Sequence, residues 1–242
     1  MRASPGDSRP RAGAVTLYGF HRSTYVNVAR LVLHAKGVSF AFHDTEREMY
    51  TAEHRGRHPF GRVPVLQHGD FWLYETSAIV RYVDEAFAGP TLTPADVRAR
   101  AKMNQWIGSV DSYFYPYMIY YLVHERLVFA ELGIAPDAAV VAAALPKCER
   151  ALAVMDAELG DARPYIVGEH PTLADYFLLP TLTALSFVPE GKELLGRFPK
   201  IRAWLARMGA LPNMAQFRST LPSPAPIEHA RRWVTDHRAK AG

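Results

Sequence analysis

The stretch HPFGRVPVLQHGDFWLYETSAIVRYV, His58 to Val83, holds the reading that decides the fold. Val63 to Leu66 is strand-like, HGD (His68 to Asp70) is a turn, and FWLY (Phe71 to Tyr74) is the returning strand, so this piece reads as a hairpin. Ile79, Val80, Val83, Ala86 and Phe87 then recur at helical spacing. Pro64 stands at the entry to the first strand, where it removes a ladder donor, and a central strand avoids that. Two arrangements accommodate it. One is an edge strand. The other is a cis bond that turns the Val63 backbone outward, where it can pair in β fashion with a short peptide. Glu75-Thr76 marks the change from strand to helix. Thr76 suits an N-cap. The same pair also suits an α-amino acid, with its carboxylate on the helix amides and the Thr76 hydroxyl and its ammonium on Glu75.

Upstream, Val15 to Gly19 is a short apolar run that reads as a buried strand. Val28, Leu31, Val32 and Ala35 form a helical stripe closed by Gly37, and Val38 to His43 alternates like a second strand. Between strand and helix lies HRSTYVN (His21 to Asn27). Thr24 is nearer the periodic residues and suits the cap, which leaves Ser23 to face a ligand; Tyr18 and Tyr25 are further hydroxyls in reach. The polar segment 45–62 has no clear period.

Downstream, Ala88 to Pro94 is a linker by composition. Thr93-Pro94-Ala95-Asp96 resembles a helix start with Thr93 as cap, and Thr172-Leu173-Ala174-Asp175 is a second one. From 95 onward the pattern is helical. The organisation is a small α/β domain followed by an all-helical one. In VDSYFYPYMIYY, residues Val110, Phe114, Tyr117 and Tyr121 share a face at α-helical spacing, with Tyr113 beside them; such a stripe serves a core or the wall of an apolar pocket.

Bulk properties exclude several classes. The net charge of +4 is concentrated in the tails: residues 1–13 carry three arginines against Asp7, and residues 228–242 carry four basic residues against two acids. A nucleic-acid site needs its basic patch on a folded face. The longest apolar run, Tyr113 to Val123, is too short to span a bilayer. Cys148 is the only cysteine, so no intrachain disulfide forms, in keeping with a reducing compartment. The start has the composition of a disordered tail, without the apolar segment of a secretory signal. His54 and His58 lack a third metal ligand, and no glycine-rich phosphate loop is present.

Four motifs in order carry a resemblance: LYGFHRST with LVLHAKGV, HPFGRVPVL, YETSAIVRYV and TLADYFLLP. Trp106 with Phe114-Tyr115-Pro116 adds a weaker fifth. Together they resemble the cytosolic glutathione S-transferases, in particular bacterial, serine-type, phi- or zeta-like members, over roughly Val15 to Phe217. Here His58 replaces the family's Asn in NPFGKVPAL, and Thr76 replaces its Ser. The resemblance implies a thioredoxin-like domain (βαβ then ββα) over 15–87, a linker over 88–94 and a helical bundle over 95–218, with a tail over 1–14 and an extension over 219–242. It implies a homodimeric, cytoplasmic detoxification enzyme that conjugates the glutathione thiolate to an apolar electrophile without a metal, membrane or nucleic acid. A glutathione-dependent isomerase or dehalogenase, or a non-catalytic binding module, would share these motifs. By the resemblance Ser23 is the catalytic hydroxyl. Val63, Pro64, Glu75 and Thr76 hold glutathione, with Arg62 as a further contact; Arg47, His54, Arg55 and Arg57 are other basic residues in range of its glycine carboxylate. Tyr113, Phe114 and Tyr117 are expected to line the electrophile pocket, the Val63–Pro64 bond is expected cis, and Asp175 is given a folding role.

Overall fold

The computed structural model describes residues 13–160 and 163–214. The tail expected over 1–14, apart from its last two residues, and the extension expected over 219–242 lie outside the described residues. The first domain is a four-stranded sheet in the order β2-β1-β3-β4. Strand β1 (Val15–Gly19) leads through helix α1 (Thr24–Ala35) to β2 (Ala41–Asp44), which lies parallel to it. The second strand starts three residues later than the alternation suggested, because Val38 and Phe40 serve as packing residues against the core. The polar segment before the hairpin contains a short helix, α2 (Ala52–Arg57), capped by the Thr51 hydroxyl. Its six residues, AEHRGR, carry no apolar period, so nothing in the pattern announces it.

The hairpin forms, with its first strand two residues later than Val63 to Leu66 and with His68 in the strand and not the turn. β3 (Val65–His68) and β4 (Phe71–Tyr74) pair antiparallel, with His68 opposite Phe71 across a turn where Gly69 takes φ 62°. Helix α3 (Thr76–Ala86) follows and packs on α1. Helix α1 is buried between α3 and the helical domain: Val26, Val28, Ala29, Leu31, Val32 and Leu33 are all in the core. At its start, a Cβ on Gly19 would come within 2.5 Å of Val26, so only glycine lets the strand end lie this close to the helix.

The linker is clamped. The ammonium of Lys36, just past α1, donates to the Asp84 carboxylate (3.1 Å), to the Asp84 carbonyl (3.0 Å) and to the Pro90 carbonyl (2.9 Å), and Asp84 also accepts from the Leu92 amide (3.0 Å). Both side chains of the ion pair are 2% exposed. Helix α4 (Val97–Ser109) begins three residues later than Thr93 would set it, because Asp96 supplies the cap through a 2.8 Å bond from the Ala99 amide.

Helix α4 continues without a break into a π-helix, Val110–Val128, which carries Pro116 and runs into a single turn, α5 (Phe129–Glu131). The amide of Phe129 bonds back five residues to His124. Next come α6 (Ala138–Leu159), α7 (Leu173–Leu185), α8 (Pro189–Gly196) and α9 (Pro199–Gly209). Helix α7 is buried nearly all round, as the central helix of a bundle must be. Its start is organised by Asp175. One carboxylate oxygen accepts from the Ile166 amide and the Trp204 indole; the other accepts from the amide and hydroxyl of Thr172.

Candidate active site

Strand register gathers the candidate residues at one end of the sheet. Gly19 pairs with Asp44, Tyr18 with Val65, and Val65 with Tyr74. The segment after β1 (20–23), the segment before β3 (62–64) and the residues after β4 (75 and 76) therefore emerge on the same edge.

The segment after β1 is fixed by its backbone. The Ser23 amide bonds to the Phe20 carbonyl (3.1 Å), and the Asn27 side chain donates to the His21 carbonyl (2.9 Å). Ser23, not Thr24, is the N-cap of α1: its Oγ accepts from the Val26 amide at 3.3 Å. Thr24 is buried and its Oγ1 has no partner among the described residues. The expected division of labour is thus corrected. The reason is the point at which the backbone turns helical, since Ser23 is still extended (φ −68°, ψ 122°) and Thr24 is the first helical residue. Capping does not consume Ser23. A hydroxyl has two lone pairs and one proton, so an oxygen that accepts from an amide still donates. Its proton has no acceptor among the described residues, and it stands at the positive end of a 12-residue helix.

The competing hydroxyls are committed elsewhere. Tyr18 donates to Gln67 (2.8 Å) under the Arg57 guanidinium, and Tyr25 donates to Asp111 (2.8 Å). Burial, reinforced by Asp111, raises the Tyr25 phenol far above its usual pKa.

The Val63–Pro64 bond is cis, as expected. The peptide groups of Val63 carry no hydrogen bond among the described residues. The buried His54 steadies this corner: its Nε2 lies 2.9 Å from the Arg62 carbonyl. His58, in the place of the family's Asn, accepts from the Phe60 amide through Nδ1 (3.3 Å) and stacks on Tyr74. Burial, then His54 and Arg62, lower its pKa to about 4, so it is a neutral acceptor.

Glu75 has φ 70° and ψ 115°, an uncommon conformation for a residue with a side chain and the kind found at binding sites. It occupies the cap position of α3, and Thr76 is the first helical residue, so Thr76 is not the cap. No side chain caps α3, and the amides of Thr76 and Ser77 have no partner among the described residues. An uncapped helix end beside an exposed carboxylate is the arrangement that an α-amino acid requires.

The basic candidates separate. Arg57 pairs with Glu48 (2.5 Å) and Glu53, and Arg47 and Arg55 are exposed. Arg62 reaches across to the helical domain, where its guanidinium donates to the Tyr120 hydroxyl at 3.2 Å.

The three residues expected at the electrophile wall stand in different surroundings. Phe114 is in the core against Trp106. Tyr117 lies beneath the Lys147 ammonium of α6, and Tyr113 points the same way, 6.3 Å from the Tyr117 ring. Within the π-helix Asp111, Tyr115 and Tyr120 meet the first domain: Tyr25 bonds to Asp111 and stacks on Tyr115 (4.6 Å), Arg62 bonds to Tyr120, and Tyr115 packs on Tyr120 (5.2 Å). Bonding from i to i+5 adds nearly a residue to each turn, so the faces drift from α-helical spacing. Pro116 inside the run was the one sequence signal of such a departure. Among the described residues no cluster of three metal-ligating side chains exists, and no helix is long and apolar enough to cross a membrane.

Two family models match the chain: "Glutathione S-transferase, N-terminal domain" over residues 17–91 and "Glutathione S-transferase, C-terminal domain" over 138–207. Glutathione S-transferase 3 of Zea mays is 33% identical over 87% of this chain and 96% of its own length. The solved structure of glutathione S-transferase III in apo form superposes with a TM-score of 0.79 at 32% identity, covering 88% of this chain and 99% of that one. A structure of glutathione S-transferase-I bound with the ligand lactoylglutathione superposes with a TM-score of 0.77 at 25% identity, covering 85% and 99%.

Proposed function

The chain belongs to the glutathione S-transferase family, and from that premise we propose that Ser23 is the hydroxyl that holds the glutathione thiolate, with Val63, Pro64, Glu75 and Thr76 forming the rest of the glutathione site. The reaction is conjugation. The thiolate sulfur bonds to an electrophilic carbon of the acceptor, whose leaving group departs or whose double bond takes up a proton. A free thiol titrates near ~8.5, so most of it is protonated at neutral pH. A hydroxyl donor at a helix N-terminus favours the anion. The observation that carries this reading is the Ser23 cap: the oxygen accepts from Val26 and keeps its proton for the sulfur, while Tyr18 and Tyr25 donate elsewhere.

In this reading Val63 pairs with the peptide backbone of glutathione. The bare start of α3 takes the γ-glutamyl carboxylate, and Glu75 takes its ammonium. The test is the pH dependence of the conjugation rate, with glutathione affinity measured by calorimetry. Ser23→Ala shifts the rate profile to higher pH and lowers turnover, while Glu75→Ala weakens glutathione binding. Coincident wild-type and Ser23→Ala profiles would remove the role given to Ser23.

The plant relatives favour the phi-like side of the resemblance over the zeta-like side. The assembly in this reading is a homodimer in the cytoplasm. Phe60 is 72% exposed beside Tyr74, and Phe71 and Trp72 are exposed on β4. A second copy would cover this aromatic surface. Sedimentation of the wild type against Phe60→Ala tests the dimer.

A further inference from the structure

By sequence His54 is one of the basic residues in range of the glycine carboxylate. In the fold it is 0% exposed, so no ligand in solvent reaches it. What it touches is backbone: its Nε2 lies 2.9 Å from the Arg62 carbonyl oxygen. A carbonyl oxygen only accepts, so Nε2 carries the proton. Nδ1 is buried and has no partner among the described residues. Burial, before any other cause, holds the ring below the ordinary histidine pKa. The side chain is therefore a neutral imidazole whose one N–H is committed to one carbonyl.

That carbonyl and the amide of Val63 belong to the same peptide group. The group is planar, and it is trans, since the cis bond is the next one along. In a trans peptide the C=O and the N–H point in opposite directions. A donor that holds the Arg62 carbonyl from the buried side thus turns the Val63 amide away from α2. That amide has no hydrogen bond among the described residues. The helix that carries His54 is itself held at both ends. The Thr51 hydroxyl accepts from the His54 amide (3.2 Å), Arg57 pairs with Glu48 (2.5 Å), and Glu48 lies 2.8 Å from His43 on β2. We infer that His54 is a positioning residue: by binding the Arg62 carbonyl it aims the Val63 amide at the peptide backbone of glutathione. A peptide group fixed beforehand has less freedom to lose when the ligand arrives. The inference rests on the transferase reading above and adds to it a residue that touches neither glutathione nor the acceptor.

The test uses the full chain with two variants. His54→Phe keeps a ring and removes the donor; His54→Gln offers a side-chain amide to the same carbonyl. Calorimetry with glutathione reads affinity, and steady-state rates with 1-chloro-2,4-dinitrobenzene separate KM from kcat. Amide proton spectra follow Val63. In His54→Phe the Kd and KM for glutathione should rise about tenfold, the worth of roughly one hydrogen bond, while kcat at saturating glutathione stays within about twofold. The shift of the Val63 amide proton on adding glutathione should be lost. His54→Gln should return the affinity to within about threefold of the wild type, because the donor is restored. An unchanged affinity in His54→Phe, or an equal loss in both variants, would overturn the inference, since a packing role has no use for the donor. Imidazole nitrogen spectra of the wild type test the bond itself without substitution or ligand, and so decide the matter even if His54→Phe does not fold. The proton is expected on Nε2, and a proton on Nδ1 would overturn the inference. A wild type that binds no glutathione would overturn the transferase reading and this inference with it; a wild type that binds it with an affinity unmoved by His54→Phe would overturn the role of His54 alone.

Discussion

The phenol of Tyr25 donates to the carboxylate of Asp111 at 2.8 Å, and this bond ties the first turn of the helix that carries Ser23 to the start of the π-helix in the other domain. The Tyr25 ring also stacks on Tyr115, so the polar bond and the aromatic contact act together. The Ser23 hydroxyl is therefore positioned by both domains.

Loss of that bond has a measurable cost. Tyr25→Phe should lower unfolding free energy by roughly 1.5–3 kcal/mol, the worth of a hydrogen bond to a carboxylate, and should also lower turnover. Asp111→Asn keeps an acceptor oxygen and should recover most of both. Urea melts read alongside steady-state rates check this; an equal loss in Asp111→Asn would mean that the charge, not the bond, matters.

The two neighbouring hydroxyls of the α1 start should respond in opposite ways. Ser23→Ala removes a cap and should cost about 1 kcal/mol of stability. Thr24→Val removes a buried hydroxyl without a partner and should be neutral or stabilising. Thermal melts of the two variants decide it. Destabilisation by Thr24→Val alone would return the cap to Thr24.

Selectivity among acceptors should follow the π-helix face and not the α-helical one. Tyr115→Ala should reorder a panel of electrophiles, because Tyr115 lies against Tyr25 where the two domains meet. Tyr117→Ala removes a ring beneath Lys147 and should leave the order intact. A reordering by Tyr117→Ala alone would contradict the geometry.

Acid should destabilise the fold through its buried imidazoles. His58 is lowered to about 4 in the folded chain, by burial first, and His54 is lowered chiefly by burial as well. A depressed histidine means that the unfolded chain takes up the proton first. This contribution is fully present above about 6.5, the unfolded value, and is lost as the pH falls toward 4. His58→Asn keeps an acceptor for the Phe60 amide and should flatten the slope. Denaturant midpoints at a series of pH values between 4.5 and 7 measure it; an unchanged slope would mean that His58 already titrates normally.

Much of this site can be read along the chain because it is encoded by backbone chemistry. Pro64 before a strand, the two-residue turn at Gly69-Asp70 and the Thr172–Asp175 pair each force a local geometry that few other residues produce. Other features are set by details that a pattern does not carry. The caps at Ser23 and Asp96 depend on the residue at which the backbone turns helical, and Thr24 and Thr93 have the same capping chemistry. The aromatic run departs from α-helical spacing because its bonding is i→i+5. With that bonding Tyr115 and Tyr120 meet the first domain and Phe114 lies in the core. Arg62 was legible as a basic residue beside the proline; its phenolic brace comes from a residue 58 positions away, which no local reading finds.

The buried Lys36–Asp84 pair bears on how such a chain can be recombined. Lys36 belongs to the first domain, yet it binds the Pro90 carbonyl, and Asp84 binds the Leu92 amide, so the connecting segment is held as part of that domain. A chimera spliced at Gly89 or Pro90 would keep the Lys36–Asp84 pair in one parent but take from the other the Pro90 carbonyl and Leu92 amide that complete its hydrogen bonding, so that the placement of this buried pair would depend on a foreign backbone. The natural seam for grafting a different helical bundle therefore lies after Leu92, with Lys36, Asp84 and residues 88–92 inherited as one block.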